Sequence, residues 1–492
     1  MEPQHHRRGR KPPLGLWFAL HAGWQDFMKI AILKGIYASN VADFVQSPPV
    51  NREPVIMETG LSSGYLRPAP GIVGMATLEG PDRGGINWNG TCYRVVGTKL
   101  VTVGLGGGTA VLGDVGSGGQ CWFDYSFDRL AIGSGGRLYY WDGSTLSQVT
   151  DPDLGVALDG IWIDGYFMMT DGEYLIVTEL NNPSAIDPLK YGSSEEDPDP
   201  VLGLIKVRGE VYALNRYTIE NFANAGSTGF PFVRNSGALI PYGAVGTHAK
   251  AAFLQTFAFV GSARGEALGV YLAGSGDASK ISDRFVDDEL ARLTSAQAAA
   301  IICEARVDAD EQRFMVHLPD KTLVYYATAS QKTQDRVWAI FASGEAADEA
   351  YRGRNGVYAY GKFIVGDADG NIGYIDRSVS RHFGDIAGRR IDTALIYNEA
   401  GRGIINAIEL TGLPGRAPIG SEPRIFMSWT IDGVSWSQER VISAGRAGDK
   451  AIRMQWRPNV RFNQWIGLRF READDGQQVF ARLDAAIQPL GA

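Results

Sequence analysis

Reactive and metal-binding side chains are scarce in this chain. Its three cysteines, Cys92, Cys121 and Cys303, show neither CxxC spacing nor an even count, which argues against a disulfide framework or a zinc site and suits folding in a reducing cytoplasm. The six histidines, His5, His6, His21, His248, His317 and His382, never stand at metal-ligand spacing, so neither a metal nor a cofactor is expected. No apolar run approaches the ~20 residues that cross a bilayer, so stable membrane insertion is not expected. A surplus of cations is missing too: 47 Lys and Arg stand against 55 Asp and Glu, a net charge of -8. Sequence-independent grip on nucleic acid needs clustered Lys and Arg to displace counterions, so DNA passing nearby is not expected to be held tightly.

What the chain has is turns and apolar strands. It carries 62 glycines, with 45% hydrophobic and 11% aromatic residues, a profile of many tight turns around a filled interior. At 492 residues it is long enough for two or three domains. One pattern, an apolar strand, a tight turn with Gly or Asp and a second apolar strand, occurs seven times, at residues 93–103, 130–140, 166–178, 204–215, 256–272, 313–327 and 362–376. The turns, near Gly97, Gly135, Gly172, Gly209, Gly265, Asp320 and Asp369, fall about 37 residues apart at first and about 50 to 55 later, the period range of radially repeated hairpins. One hairpin cannot bury its apolar face, whereas hairpins stacked around an axis bury one another. An all-β fold is therefore expected, with a β-propeller of five to seven blades over residues 62–390.

Strand-like runs at 86–93, 120–125, 160–164, 251–255 and 301–307 supply further strands for the blades. Residues 181–200 hold four prolines and the acids Glu195, Glu196, Asp197 and Asp199, and read as a long surface loop rather than a strand. That loop takes up most of the spacing between the third and fourth hairpins, so these two blades are not both expected to have four local strands. Residues 282–301, with Phe285, Val286, Leu290 and Leu293 at helical spacing before an Ala-rich tail, predict one short helical insertion. Residues 28–61 are broken by Pro48, Pro49 and Pro54 and read as an extended arm over a neighbouring surface. Residues 1–27 follow a basic stretch with an apolar one but close with no convincing cleavage site; they are expected to be a disordered extension, with Met28 as an alternative start. After residue 390 the runs at 394–397, 404–410, 424–431, 435–441, 451–456 and 465–471 predict a C-terminal β-sandwich-like domain over 391–492. Its charges nearly balance, so the acidity lies mostly in the N-terminal part.

No catalytic constellation emerges. Gly366, Asp367, Ala368, Asp369, Gly370 and Asn371 offer oxygen ligands, but lack the sixth-position Gly and twelfth-position Glu of a calcium loop and suit a hairpin turn. Thr430, Asp432, Gly433 and Trp436 approximate the Asp-box turn of sialidase-like propellers with one residue missing; an Asp-Gly hairpin turn is the simpler account. Arg453, Arg457, Arg461, Arg469 and Arg471 alternate with apolar residues as a polar outer face does, rather than converging on an anion. Gly106, Gly107 and Gly108 lack the Lys-Ser or Lys-Thr of a phosphate loop. His317 has Asp320 nearby but no nucleophile, and His-Leu-Pro suits the end of a strand.

A different kind of signal lies in short stretches whose order matters more than any one of them. They are Ser62, Ser63, Gly64, Tyr65, Leu66 and Arg67, followed by Pro70, Gly71 and Ile72; Tyr93, Arg94 and Val95 with Lys99 and Leu100; Gly113, Asp114 and Val115 with Gly116, Ser117 and Gly118; Gly274, Ser275 and Gly276 with Ala278 and Ser279; His317, Leu318 and Pro319 with Leu323, Val324 and Tyr325; Tyr351, Arg352 and Gly353; and Thr430 with Asp432, Gly433 and Glu439. In this collinear order the chain resembles the packaged DNA stabilisation proteins, the tail-hub or head-completion subunits of short-tailed bacteriophages. The resemblance implies a virion structural protein that is not an enzyme, assembled in the host cytoplasm. It implies a homohexameric ring on the tail below the portal and its adaptor, which closes the head after packaging, retains DNA and continues the ejection channel. Its implied partners are the portal adaptor, a tail needle or plug, and tailspikes or fibres, with DNA passing through the lumen without tight binding.

Composition agrees with that role on one physical point. A wall studded with Lys and Arg would bind phosphate and brake a sliding polyanion, whereas an acidic or neutral wall would not. Within the hub the amino-terminal arm, the loop at 181–200 and the helix at 282–301 are the expected partner surfaces, each with local packing as its plain alternative. The rival readings are a propeller glycan hydrolase of a phage tail, which needs paired carboxylates in a cleft, and a periplasmic interaction propeller.

Overall fold

The computed structural model describes residues 27–38, 43–308, 311–397 and 401–490; the extension expected at 1–27 lies outside them apart from Phe27. Tight turns at short intervals lead most strands to pair with the next in sequence, and the described residues build seven antiparallel sheets that serve as blades. Blade 1 spans residues 82–114, blade 2 122–148, blade 3 159–193, blade 4 201–234, blade 5 243–280 and blade 6 302–341. Blade 7 takes three strands from 354–376 and its fourth from Gly71–Thr77, so the count is the upper end of the expected range. The innermost strands, Asp82–Trp88, Trp122–Tyr125, Asp159–Ile163, Val201–Val207, Lys250–Phe253, Ile302–Asp308 and Arg354–Ala359, neighbour one another in that order, and the last returns to the first. This is a closed β-propeller.

Closure depends on the pairing of Gly71–Thr77 with Asn371–Asp376, which sets Ile72 opposite Ile375 and Ala76 opposite Ile372. Chain segments about 300 residues apart thereby complete the last blade and fasten the two ends of the propeller together. Gly71 is required by space: a Cβ there would lie 2.5 Å from the Arg381 carbonyl oxygen and 2.8 Å from that of Val379.

The acidic segment differs from its sequence reading. Asn182–Ile186 is the outermost strand of blade 3 and Gly192–Ser193 adds a further short pairing, so residues 181–200 are not simply loop. Pro183 is tolerated because an edge strand has no outer neighbour to receive its missing N–H. Blade 4 also has four strands, because its recognisable hairpin, Val201–Val207 with Glu210–Asn215, is the first pair of the blade rather than the middle pair. The remainder of the segment is pinned locally: Asp197 pairs with Arg264 at 2.7 Å and Asp199 accepts the Tyr217 N–H.

The helical insertion is present as two helices, α1 (Arg284–Ala291) and α2 (Ser295–Ala299). Asp283 caps the first and a Thr294–Gln297 capping box opens the second, satisfying N–H groups that would otherwise be orphaned. Phe285, Val286 and Leu290 sink into the core between blades 5 and 6. A third helix, α3 (Ala327–Thr333), lies between the last two strands of blade 6 and has no side-chain cap.

The C-terminal domain is a β-sandwich. One sheet pairs the long strands Arg402–Leu413 and Val479–Leu490; the other runs Arg389–Asp392, Trp465–Glu472, Arg424–Thr430 and Arg440–Ser443. Ile405, Ile408, Met427, Phe470, Phe480 and Leu483 fill the space between them. The arm is woven into this domain. Phe27–Ile30 pairs with Val479–Leu490, and Arg52–Val55 pairs with Tyr65–Pro68, which meets the same long strand where Leu66 faces Phe480. Strand pairing thus puts residues 65–68 with the sandwich, and propeller strands begin at Gly71.

Candidate functional site

The consequential chemistry lies where arm, propeller and sandwich meet. The arm reaches blade 6 at its outermost strand, Trp338–Phe341, where Asn51 donates its N–H to the Ile340 carbonyl and Ile340 donates to that of Pro49. Asn51 adopts φ 51°, a left-handed conformation that Asn tolerates better than most residues. Its buried amide donates to the carbonyls of Ala342 (2.8 Å) and Gly388 (2.6 Å) and accepts the Ala342 N–H (3.0 Å).

The next two residues point to opposite sides, as strand geometry dictates. Arg52 faces the sandwich: it donates to Glu472 and to the Gln478 carbonyl (2.7 Å), and its guanidinium lies 3.9 Å from the centre of the Phe480 ring. Arg389 reaches the same Glu472 at 2.8 Å. Burial, with Arg389 alongside, pulls Arg52 down to about 10 against the opposing pull of Glu472. Glu53 faces the propeller and receives three arginines: Arg67 at 2.9 Å, Arg313 of blade 6 at 2.9 Å and Arg377, which follows blade 7, at 2.9 Å. Burial opposes its ionisation, but the three guanidiniums outweigh it and hold the carboxyl below the usual range. Two consecutive side chains therefore rivet one domain to the other.

A second buried network joins blades 6, 7 and 1. His317, at the end of Glu311–His317, places Nδ1 2.8 Å from the Thr322 hydroxyl and Nε2 2.7 Å from Glu304. Burial lowers the pKa of the ring against the opposing pull of Glu304. Burial also resists charge on Glu304, yet Arg306, His317 and the Gly356 N–H hold its carboxyl well below the usual range. Alongside, Arg94 and Asp82 form a fully buried double hydrogen bond (2.8 and 2.6 Å), and Asn355 of blade 7 donates to Asp82 at 2.8 Å.

The stretches singled out in the sequence divide between these junctions and isolated turns. Ser63 and Gly64 lead into the strand that carries Tyr65, Leu66 and Arg67; Leu66 enters the sandwich core, and Pro70 and Gly71 turn the chain into the closing strand. His317 and Leu318 are buried, Pro319 lies in the exposed turn that follows, and the Leu318 carbonyl accepts from Arg354. Tyr351 is buried against Phe341 and His382, Arg352 pairs with Asp367 and Asp385 at 2.8 Å each, and the Gly353 carbonyl accepts from Arg306. Gly113 and Asp114 end blade 1, where Asp114 takes hydrogen bonds from Lys99, the Gly116 N–H and Thr98 that hold it near a pKa of about 2. Gly274 and Gly276 form the turn between the last two strands of blade 5. Asp432 and Gly433 form a turn of the sandwich.

The weighed alternatives resolve at the same level. Asp367 accepts the N–H groups of Asp369 and Asn371 and the side chain of Arg352, so its oxygens serve the turn. Asp432 accepts from Thr430, Val434 and Ser435, bonds that hold its carboxyl well below the usual range. Arg469 pairs with the buried Asp392 and lies over Trp436, Arg471 pairs with Glu439 and lies over Phe426, and Arg453 is exposed and paired with Glu409. Among the described residues no group of three or more His, Cys, Asp or Glu could hold a metal ion. At the propeller axis a cavity of about 270 Å³ is lined by Gln120, His248, Lys250, Glu304 and Asn355, and its lysine is paired with Asp159 at 2.6 Å.

Arg52, Glu53 and Asn51 were not among the residues singled out in the sequence. The available signal was an Arg-Glu pair inside a proline-flanked arm; Arg67 lies only 14 residues from Glu53, but Arg313, Gln478 and Glu472 lie 260 to more than 400 residues away.

Closed blades, a sandwich sewn to their rim and carboxylates engaged in structural bonds together define a propeller–sandwich scaffold protein. The chain belongs to the bacteriophage P22 Gp10 family: its β-propeller family model matches residues 28–380 and its β-sandwich family model matches residues 388–488. A curated relative, the tail hub protein gp10 of Salmonella phage P22, is 27% identical over 452 residues, covering 87% of this chain and 93% of that protein. Among solved structures, the N-terminal domain of Nup159 is similar with a TM-score of 0.39 and 10% identity, covering 72% of this chain and 96% of that one. The Pan2 WD40 domain of Neurospora crassa has a TM-score of 0.39 and 8% identity, covering 62% of this chain and 95% of that one.

Proposed function

We propose that this chain is a tail hub subunit of a short-tailed bacteriophage, a structural protein of the virion with no bond-making chemistry of its own. In this reading it assembles in the host cytoplasm as a hexameric ring below the portal and its adaptor, closes the head after packaging, and forms part of the ejection channel. The ring holds back packaged DNA by geometry and by a needle or plug seated on it, and gives tailspikes or fibres a place to dock. The observation that carries this reading is the match to the P22 tail hub protein, which runs through both domains and nearly the whole of each chain.

The architecture suits the role. A load-bearing collar needs domains that do not hinge, and buried ion pairs that cross the domain boundary resist relative motion because separating them strands charge. The hydrolase alternative gains nothing from the Asp-box-like turn, whose carboxylate is engaged in local hydrogen bonds. The deciding experiment is electron microscopy of the purified protein with and without the portal–adaptor complex of its own phage. A sixfold collar on the adaptor is expected; failure to bind that complex would overturn the reading.

A further inference from the structure

Two unsatisfied apolar features face solvent at separate places on the propeller. The first is a knob. Phe127 sits on the turn joining the first two strands of blade 2 and is 98% exposed. The turn is closed by the Ser126 N–H on the Arg129 carbonyl at 2.9 Å, with the Ser126 hydroxyl on Asp128. Behind the knob a hollow of about 280 Å³ is lined by Trp162, Phe167 and Pro183 of blade 3. A stiff turn that presents a bare aromatic ring is an unusual arrangement for a side chain with no partner, because one such ring buries roughly 150–250 Å² when it is covered.

The second is a hole. A largely apolar cavity of about 430 Å³ opens where blade 7 meets the sandwich, lined by Ile72, Val73, Val379, Ser380, Phe383 and Pro418. Ile419, next to Pro418, is 98% exposed. Ser380 is only 7% exposed, yet its hydroxyl has no hydrogen-bond partner, a costly state for a buried polar group. Arg381 stands at the rim, paired with Asp475.

We propose that the hole is filled by the Phe127 turn of a second copy of this chain. The ring fits an apolar cavity of that size, and the carbonyls at the tip of the turn can accept the Ser380 hydroxyl. Asp128 beside the knob is paired with Arg129 at 2.6 Å and Arg381 beside the hole with Asp475, so both rims arrive with their charges matched and the apolar ring carries the contact. A chain cannot fill its own hole, because blade 1 stands between blades 2 and 7. Knob and hole are different patches, so the contact is head-to-tail, the kind that propagates until a ring closes. This inference specifies the subunit contact of the ring proposed above and rests on that ring.

The test is a double variant that keeps Phe127, Asp128→Cys beside the knob with Ser378→Cys at the rim of the hole, treated with a short bismaleimide after assembly on the portal–adaptor complex. The native Cys92, Cys121 and Cys303 are buried and stay silent. A covalent ladder ending at the full ring is expected, with neither single variant going beyond a dimer. A ring visible by electron microscopy without the ladder would overturn this contact alone, as would a cross-link from Asp128→Cys to a different virion protein. Absence of any ring from the wild-type protein would instead sink the hub reading. As a check free of cysteine chemistry, Phe127→Ser should lower ring assembly at least tenfold and leave the unfolding midpoint of the monomer unchanged; unimpaired assembly would also overturn the contact.

Discussion

Arg52 and Glu53 show how much two adjacent side chains can bind together when a strand lies between domains. Alternation sends one to each side, and each meets a charge of the opposite sign inside protein rather than in water. Forming a buried pair from solvated charges yields little net stability, whereas removing one partner leaves the others uncompensated. Glu53→Gln should therefore cost about 3 kcal/mol, since Arg313 is buried while Arg67 and Arg377 reach partly to water. The sign of the pH dependence follows from the lowered pKa of Glu53. Its contribution is present above the unfolded carboxylate value of about 4.3 and is lost as pH falls through the folded value. Urea midpoints of wild type and variant should differ clearly at pH 7 and converge in acid; equal midpoints at pH 7 would refute the rivet.

At the scale of elements, the disk depends on one strand supplied from outside its own blade. Gly71–Thr77 closes blade 7, and Gly71 has no room for a side chain beside the Arg381 and Val379 carbonyls. Gly71→Val should detach or distort this strand at a cost of about 1–3 kcal/mol, the usual range for overpacking. Limited proteolysis would then cut ahead of residue 82 while the remaining blades stay resistant; a variant that is uncut and as stable as wild type would show that closure does not hold the disk. The closing strand was hidden in the sequence because its partner is remote, so no local turn marks the pairing. All seven hairpins were legible because a tight Gly or Asp turn joins their strands, and six of them form the middle pair of their blades. The fourth is the first pair, its Gly209 turn joining the first and second strands, and the four prolines and clustered acids of residues 181–200 hid the outer strand of blade 3 that lies among them. Helix α3 escaped for a related reason, because Ala327–Thr333 carries no capping side chain and follows directly on a strand. In the charged junctions Arg67, Arg94, His317, Tyr351 and Arg352 stood out by resemblance, whereas Arg52, Glu53, Asp82 and Glu304 carried no local mark of the charges they meet, and Glu472 lies 420 residues from Arg52.

For the molecule as a whole, the balance of charge bears on how DNA would pass the proposed collar. The net charge is -8, and many of the cations that exist are already spoken for. Arg52, Arg67, Arg94, Arg306, Arg313 and Arg389 face carboxylates of the same chain, and Lys206 and Lys250, near the axis, are paired with Asp124 and Asp159 at 2.6 Å each. A guanidinium that neutralises its own carboxylate releases no counterion when phosphate approaches, so the term that drives sequence-independent DNA binding is weak. Assembled into a collar, such a protein would obstruct DNA by its shape and by whatever plugs it, and would let the polyanion slide once the plug is gone. The assembled ring should bind duplex DNA more weakly than about 1 μM at roughly 150 mM salt, with affinity changing little as salt is raised, because few phosphates are neutralised. Fluorescence anisotropy on a short labelled duplex measures both quantities. Submicromolar binding with a steep salt dependence would mean that the collar grips DNA directly, and retention would then have to be assigned to cationic side chains rather than to geometry.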